Sequence, residues 1–234
     1  MLRVNTIYPA FMGEVNVHGI GAPCTFLRLA GCNLRCYYKT KHTLCDTPEA
    51  LEVSCGKEMS VSDILAELQK FGNQIVCLTG GEPLLQDCTE LLTTLSVNGY
   101  NVVVETNGSQ SIRPYRHIHG VSFVVDVKSP STGEHSKMLE ENYSLMRRGD
   151  FVKFVVDTKE DVKSLFTWWE NHRNGFRGRV GVGLFWGTTG YQALLEDIKG
   201  YGFYINMQTH KMMCLYDSVE YQKDFENIKI PRNL

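Results

Sequence analysis

GCNLRCYYKTKHTLCDT, residues 31–47, gathers three of the chain's eight cysteines, Cys32, Cys36 and Cys45, in one segment. The strand-like run CTFLRLA (Cys24–Ala30) delivers the chain to the first of them. Glycine, asparagine, lysine and threonine surround them, which is the composition of a loop rather than a core. Soft thiolates grouped this closely, with no His-x-x-x-His partner, suit an iron–sulfur cluster or a zinc ion. Three ligands leave a coordination position open for a small molecule, the arrangement that separates catalytic from structural metal sites. Cys24 and Cys77 fall in strand runs and Cys88 in a helical one, so these three read as core thiols. Cys55 lies close enough in sequence to compete with Cys45 as third ligand.

Outward from that segment the chain alternates strands and helices. Met1 to Pro23 is glycine-dotted and reads as a loop, and Thr47 to Glu58 as polar and irregular. A helix starts at Ser60, with apolar Val61, Ile64, Leu65 and Leu68 on one face and Gly72 as its stop. Ile75–Thr79 is an apolar run of the buried parallel-strand kind. It ends in Gly80-Gly81-Glu82-Pro83, after which Leu84–Ser96 reads as a helix. Strands over 101–106, 121–127, 151–157, 180–185 and 203–208 follow, with helices around 161–172 and 191–198. Repeated strand–helix units imply a parallel sheet with right-handed crossovers. The polar and glycine-rich residues cluster just after the strands, in GGEP, ETNG, KSPSTGE and QTHK. In a barrel of parallel strands those ends form the active-site face.

The totals exclude several classes. With 24 basic and 26 acidic residues in 234, the chain advertises neither a nucleic-acid nor an anionic-membrane partner. Its first residues lack the basic-then-apolar pattern of a signal peptide, and no apolar run reaches the ~18 residues of a membrane-spanning helix. Eight cysteines in such a chain favour a reducing compartment and metal or redox chemistry, hence a cytoplasmic protein. Its length suits one domain over 1–234: residues 1–23 as an amino-terminal substrate loop, 24–213 as barrel core and 214–234 as a tail.

Taken together, GCNLRC, CDT, TGGEP, VETNG and DVKSPSTGE resemble the radical S-adenosylmethionine superfamily, and within it the 7-carboxy-7-deazaguanine synthases. The similarity runs from about Tyr8 to Lys211. It implies an α/β fold, a partial TIM-like barrel of parallel strands, with a 4Fe-4S cluster on Cys32, Cys36 and Cys45. It implies Mg2+ at Thr47, and S-adenosylmethionine near Leu44, Asp46, Gly80, Gly81, Glu82, Lys128, Ser129 and Pro130. It places a pterin substrate by Phe11, Met12, Gly13, Glu14, Arg28, Thr79, Glu105 and His210. Arg28 also stands out without the resemblance, since a charge inside an apolar strand is costly unless paired.

The implied reaction is the radical ring contraction of 6-carboxy-5,6,7,8-tetrahydropterin to 7-carboxy-7-deazaguanine with loss of ammonia. A homodimer and an electron donor such as flavodoxin or ferredoxin are implied with it. Two features depart from the family. Eight residues, YYKTKHTL, separate Cys36 from Cys45 where the superfamily usually has two, and Phe11-Met12-Gly13-Glu14-Val15 stands where a Gly-Glu-Gly is typical. The competing readings are an activase that makes a glycyl radical in a partner protein, and a zinc- or cluster-binding module without turnover.

Overall fold

A computed structural model describes residues 1–38, 42–185 and 188–209. The QTHK histidine, His210, and the tail 214–234 lie outside the described residues. The strands are β1 (Leu2–Phe11), β2 (Pro23–Leu29), β3 (Tyr37–Tyr38), β4 (Thr43–Leu44), β5 (Lys57–Met59), β6 (Ile75–Gly80), β7 (Asn101–Thr106), β8 (Val121–Val127), β9 (Phe151–Val156), β10 (Arg179–Leu184) and β11 (Tyr204–Ile205). The helices are α1 (Val61–Gln69), α2 (Thr89–Val97), α3 (Glu141–Ser144), α4 (Lys159–His172) and α5 (Tyr191–Ile198).

Among the described residues nine strands form one sheet in the order β11-β10-β9-β8-β7-β6-β2-β1-β5. From β2 to β11 every neighbour is parallel, so each crossover steps one strand along, as in an α/β barrel left open. The expected fold is the observed one. On the outer face, Ile64 and Leu68 of α1, Leu91, Leu92 and Leu95 of α2, and Leu165 and Trp168 of α4 cover the sheet. Each such buried side chain contributes roughly 1.5–3 kcal/mol of transfer free energy. Ser60 caps α1 in a capping box with Asp63, and Thr158 does the same for α4 with Asp161.

Four expectations need correction. The amino-terminal stretch is not a loop: Leu2–Phe11 is a ten-residue strand, antiparallel to β2 and, at Leu2–Val4, to β5. Its alternation is short, with only Leu2 and Val4 fully buried, and Pro9 disguises it. Proline is tolerated there because β1 beyond Val4 has a partner on one side only. Within the polar stretch before Ser60, Lys57–Met59 forms β5. The helix expected over 84–96 begins instead at Thr89. Gln86 interrupts it, because its side chain accepts from Arg3 N at 2.8 Å and donates to Arg3 O and Ala30 O, each at 3.1 Å. Cys88 therefore precedes the helix, though it is core as expected. Of the run 203–208, only Tyr204–Ile205 is strand.

One buried ion pair ties the base of the sheet together. Asp150, before β9, accepts from Arg116 at 2.8 Å, Phe123 N at 2.9 Å and Arg147 N at 2.7 Å. Removing one partner of such a pair strands the other charge. Asp150→Ala should therefore destabilise the fold by about 3–5 kcal/mol in urea unfolding, and Asp150→Asn by clearly less.

Candidate active site

Residues alternate along each strand, so the inner face of the barrel is set by every second position. Near the amino ends these positions are apolar: Cys24, Cys77, Val103, Val124 and Phe151 pack into a second small core. Met12 and Val15 plug that layer from below. Gly181 of β10 leaves room for the plug, since a Cβ there would lie 2.6 Å from Val15 Cγ2. Met12 is thus 1% exposed and core, not part of the expected substrate loop. Phe11, Gly13 and Glu14 do face the cavity above.

That cavity measures about 320 Å³. Sites for small molecules run upward from roughly 300 Å³. Its wall is built from the next inward positions: Phe26 and Arg28 of β2, Thr79 of β6, Glu105 of β7, Asp126 of β8 and Lys153 of β9. Tyr8 stacks on Phe26 with ring centroids 5.4 Å apart and adds an apolar flank. Lys153 pairs with Glu14, and with Asp126 at 3.0 Å; Lys128 reaches the other oxygen of Asp126 at 2.5 Å. Gln208 donates to Glu14 at 2.9 Å.

These charges shift one another. Despite burial, the two lysines hold the Asp126 carboxyl below its usual range. Burial, aided by Glu14 and Asp126 and opposed by Lys153, pushes the Glu105 carboxyl up toward its protonated form. Arg28 has no hydrogen-bond or ion-pair partner among the described residues, although it lines the same cavity. An unpaired guanidinium in a half-buried wall is a receptor for a planar anion.

The eight residues between Cys36 and Cys45 contain the β3–β4 hairpin, in which Tyr37 pairs with Leu44 and Tyr38 with Thr43. Cys45 N–H donates to Cys36 O at 3.1 Å, so the hairpin returns the third cysteine beside the second. Tyr38 stacks on Phe185 beyond β10, with centroids 4.0 Å apart, and both rings line the cavity. Leu44, expected at the nucleoside site, is 57% exposed and off the cavity wall; Tyr38 supplies the apolar surface there instead.

Cys32, Cys36 and Cys45 are all free thiols. Burial pushes Cys36 up to about 11, with Lys128 opposing and Cys45 and Cys32 adding to the rise, so the three are electrostatic neighbours. Among the described residues no three His, Cys, Asp or Glu side chains are placed to hold a single metal ion. A multi-iron cluster takes each thiolate at a different iron, so its ligands ring the site instead of meeting at one point. Three neighbouring free thiols beside an open cavity fit that donor set. Cys55, the competitor, is exposed in a separate 3-10 turn, outside this group.

GGEP backs the cysteines. A Cβ on Gly81 would lie 2.4 Å from Gly31 O, 2.6 Å from Ala50 O and 2.8 Å from Cys32 Cβ. Gly80 presses equally closely on Leu29. Glu82, expected at the S-adenosylmethionine site, is 0% exposed and turned inward. Its carboxylate accepts from Thr106 Oγ1 at 2.8 Å, Asn107 N at 2.6 Å and Leu84 N at 3.0 Å. Burial outweighs those bonds and raises its pKa to about 7. Asp46, Thr47, Lys128 and Ser129 line the cavity as expected, whereas Pro130 stands behind it at the start of a 3-10 turn. Lys153 and Asp126 went unread in the sequence, though each is a charge inside an apolar strand, the signal that singled out Arg28. Tyr38 and Phe185 carry no local signal.

Two outcomes follow from this packing. Gly81→Ala has only backbone and the Cys32 Cβ to push against, so it should abolish iron–sulfur loading, read by absorbance after reconstitution. Glu82 takes up a proton in the folded chain that the unfolded chain does not hold between its ordinary pKa and about 7. Its contribution to stability is therefore greatest below its unfolded pKa and is lost as pH rises through about 7. Glu82→Gln should flatten that slope when urea midpoints at about pH 5 and about pH 8 are compared.

Comparison with known proteins identifies the family. A family model described as a 4Fe-4S single cluster domain matches residues 17–127. A 7-carboxy-7-deazaguanine synthase of Leptospira interrogans is 33% identical over 228 residues, covering 89% of this chain and 93% of its own. That of Koribacter versatilis is 36% identical over 164 residues, 68% of this chain and 67% of its own. QueE from Escherichia coli, at 21% identity, shares the fold with a TM-score of 0.71 over 88% of this chain and 93% of that one. Related at this level along nearly its whole length, the chain belongs to the 7-carboxy-7-deazaguanine synthase family.

Proposed function

We propose that this chain is itself a 7-carboxy-7-deazaguanine synthase, a radical S-adenosylmethionine lyase that converts 6-carboxy-5,6,7,8-tetrahydropterin to 7-carboxy-7-deazaguanine with loss of ammonia. The observation that carries the reading, in a member of this family, is a group of three neighbouring free thiols, one of which, Cys45, lines the same cavity as an unpartnered Arg28. The cluster's contribution, when bound, is reductive cleavage of S-adenosylmethionine to methionine and a 5′-deoxyadenosyl radical, which takes hydrogen from C6 of the pterin. The protein's share is binding, orientation and exclusion of water.

In this reading Cys32, Cys36 and Cys45 hold the cluster. Asp46, Gly80, Gly81, Lys128 and Ser129 bracket the nucleoside, and bare backbone at the glycines admits it closely. Arg28 receives the pterin carboxylate, and Thr79, Phe11, Gly13 and Glu14 border the ring. Glu105, which lines the cavity, meets the pterin's amide and amine edge. His210, outside the described residues, is assigned to substrate binding by the sequence resemblance alone. Thr47, which lines the cavity, would hold Mg2+ through its hydroxyl, and the ion would neutralise the substrate carboxylate. The enzyme works as a cytoplasmic homodimer of one domain per chain, and draws its electron from flavodoxin or ferredoxin. No described helix is long and apolar enough to cross a membrane.

Anaerobic reconstitution with iron and sulfide, then assay with S-adenosylmethionine, dithionite, Mg2+ and the carboxytetrahydropterin, tests the reading by product mass. Wild type and Cys55→Ala should form 7-carboxy-7-deazaguanine, and Cys45→Ala should hold no competent cluster. Cleavage of S-adenosylmethionine without any change in the pterin would remove the substrate from the reading. Arg28→Ala should lower kcat/KM by about 10- to 100-fold, mostly through KM, as expected for a lost charged hydrogen bond of about 1.5–3 kcal/mol.

A further inference from the structure

Asn107 follows β7 at the rim of the cavity and is buried, and none of the roles above uses it. Its backbone N–H is held by Glu82 Oε2 at 2.6 Å. Its side-chain oxygen accepts from Ser109 N at 2.9 Å, which settles which way the amide faces. The Nδ2 group must then point to the other side, where it donates to Asn33 Oδ1 at 3.2 Å and to Cys32 Sγ at 3.7 Å. The same sulfur receives Leu34 N–H at 3.4 Å. Two N–H groups, one from a side chain locked on three sides, thus converge on one thiol.

We propose that Asn107 is a positioning residue that donates a hydrogen bond to the cluster ligand Cys32 and, with the Leu34 amide, sets the reduction potential of the cluster; this rests on the synthase reading above. An N–H donor draws electron density from a thiolate and stabilises the added charge of the reduced cluster, so it raises the potential. The arrangement also gives the buried Glu82 a task. Its carboxylate fixes Thr106 and Asn107 behind the cysteine segment, where an apolar residue of the same shape could accept nothing.

The test is an EPR-monitored redox titration of the reconstituted protein without S-adenosylmethionine, on wild type, Asn107→Leu and Asn107→Ser. Both variants remove the donor from the sulfur and keep the backbone bond to Glu82. Their midpoints should lie negative of wild type at equal iron and sulfide content. A midpoint equal to wild type in a variant that carries the cluster overturns the assignment. Should neither variant load, pulsed EPR of wild type labelled with 15N in its asparagine side chains decides. Hyperfine coupling to the reduced cluster is expected, and its absence overturns the proposal. A wild-type chain that loads no cluster overturns the synthase reading itself, whereas a loaded chain indifferent to Asn107 overturns only this inference.

Discussion

Lys153 stands inside a parallel sheet, where a charge is tolerated only in company. It finds Glu14 from the segment between β1 and β2 and Asp126 from β8, and Asp126 passes the connection on to Lys128 at the rim. The chain of ion pairs divides the barrel into two regimes. Below it the inward positions are apolar and closed by Met12 and Val15; above it they are polar and open. Breaking the set at any point would leave an uncompensated charge in a low-dielectric wall, at a cost of several kcal/mol. The cavity exists because the charges cannot be packed over.

The rim follows the same logic of mutual dependence. Gly81 has no side chain, so the backbone of GGEP lies flat behind Cys32. Glu82, buried by that approach, turns its carboxylate to Thr106 and Asn107, and so links the ends of β6 and β7. Motifs that read in the sequence as separate turn signals are here one hydrogen-bonded unit. Tyr38, carried in from the hairpin, meets Phe185 at the far side of the sheet and spans the mouth.

Much of this was legible beforehand, and the losses have physical reasons. Parallel strands advertise themselves as apolar runs, so β6 to β10 stood out, and the cysteine loop stood out by composition. β1 did not, because half of it meets only one neighbour and its outward residues are free to be polar or proline. The interruption before α2 was invisible because it depends on Gln86 reaching backbone at Arg3 and Ala30, contacts that no local propensity encodes. In the site, Arg28 was found by its cost. Lys153 and Asp126 raise the same cost, but each lies beside residues that pass for ordinary strand. Glu82 was misread because sequence places a carboxylate near a rim but not which way it turns.

The hairpin has a consequence for how such sites are recognised. Cys45 returns to Cys36 through a single backbone hydrogen bond, and the pairs Tyr37–Leu44 and Tyr38–Thr43 simply stack beyond it. Residues added in matched pairs lengthen the ladder without moving either sulfur. In this chain the position of Cys45 beside Cys36 is therefore set by the closure of a ladder, not by a count of intervening positions. A pattern that fixes the number of residues between the second and third cysteines will pass over chains built this way, while one that asks whether the intervening segment can fold back on itself will find them.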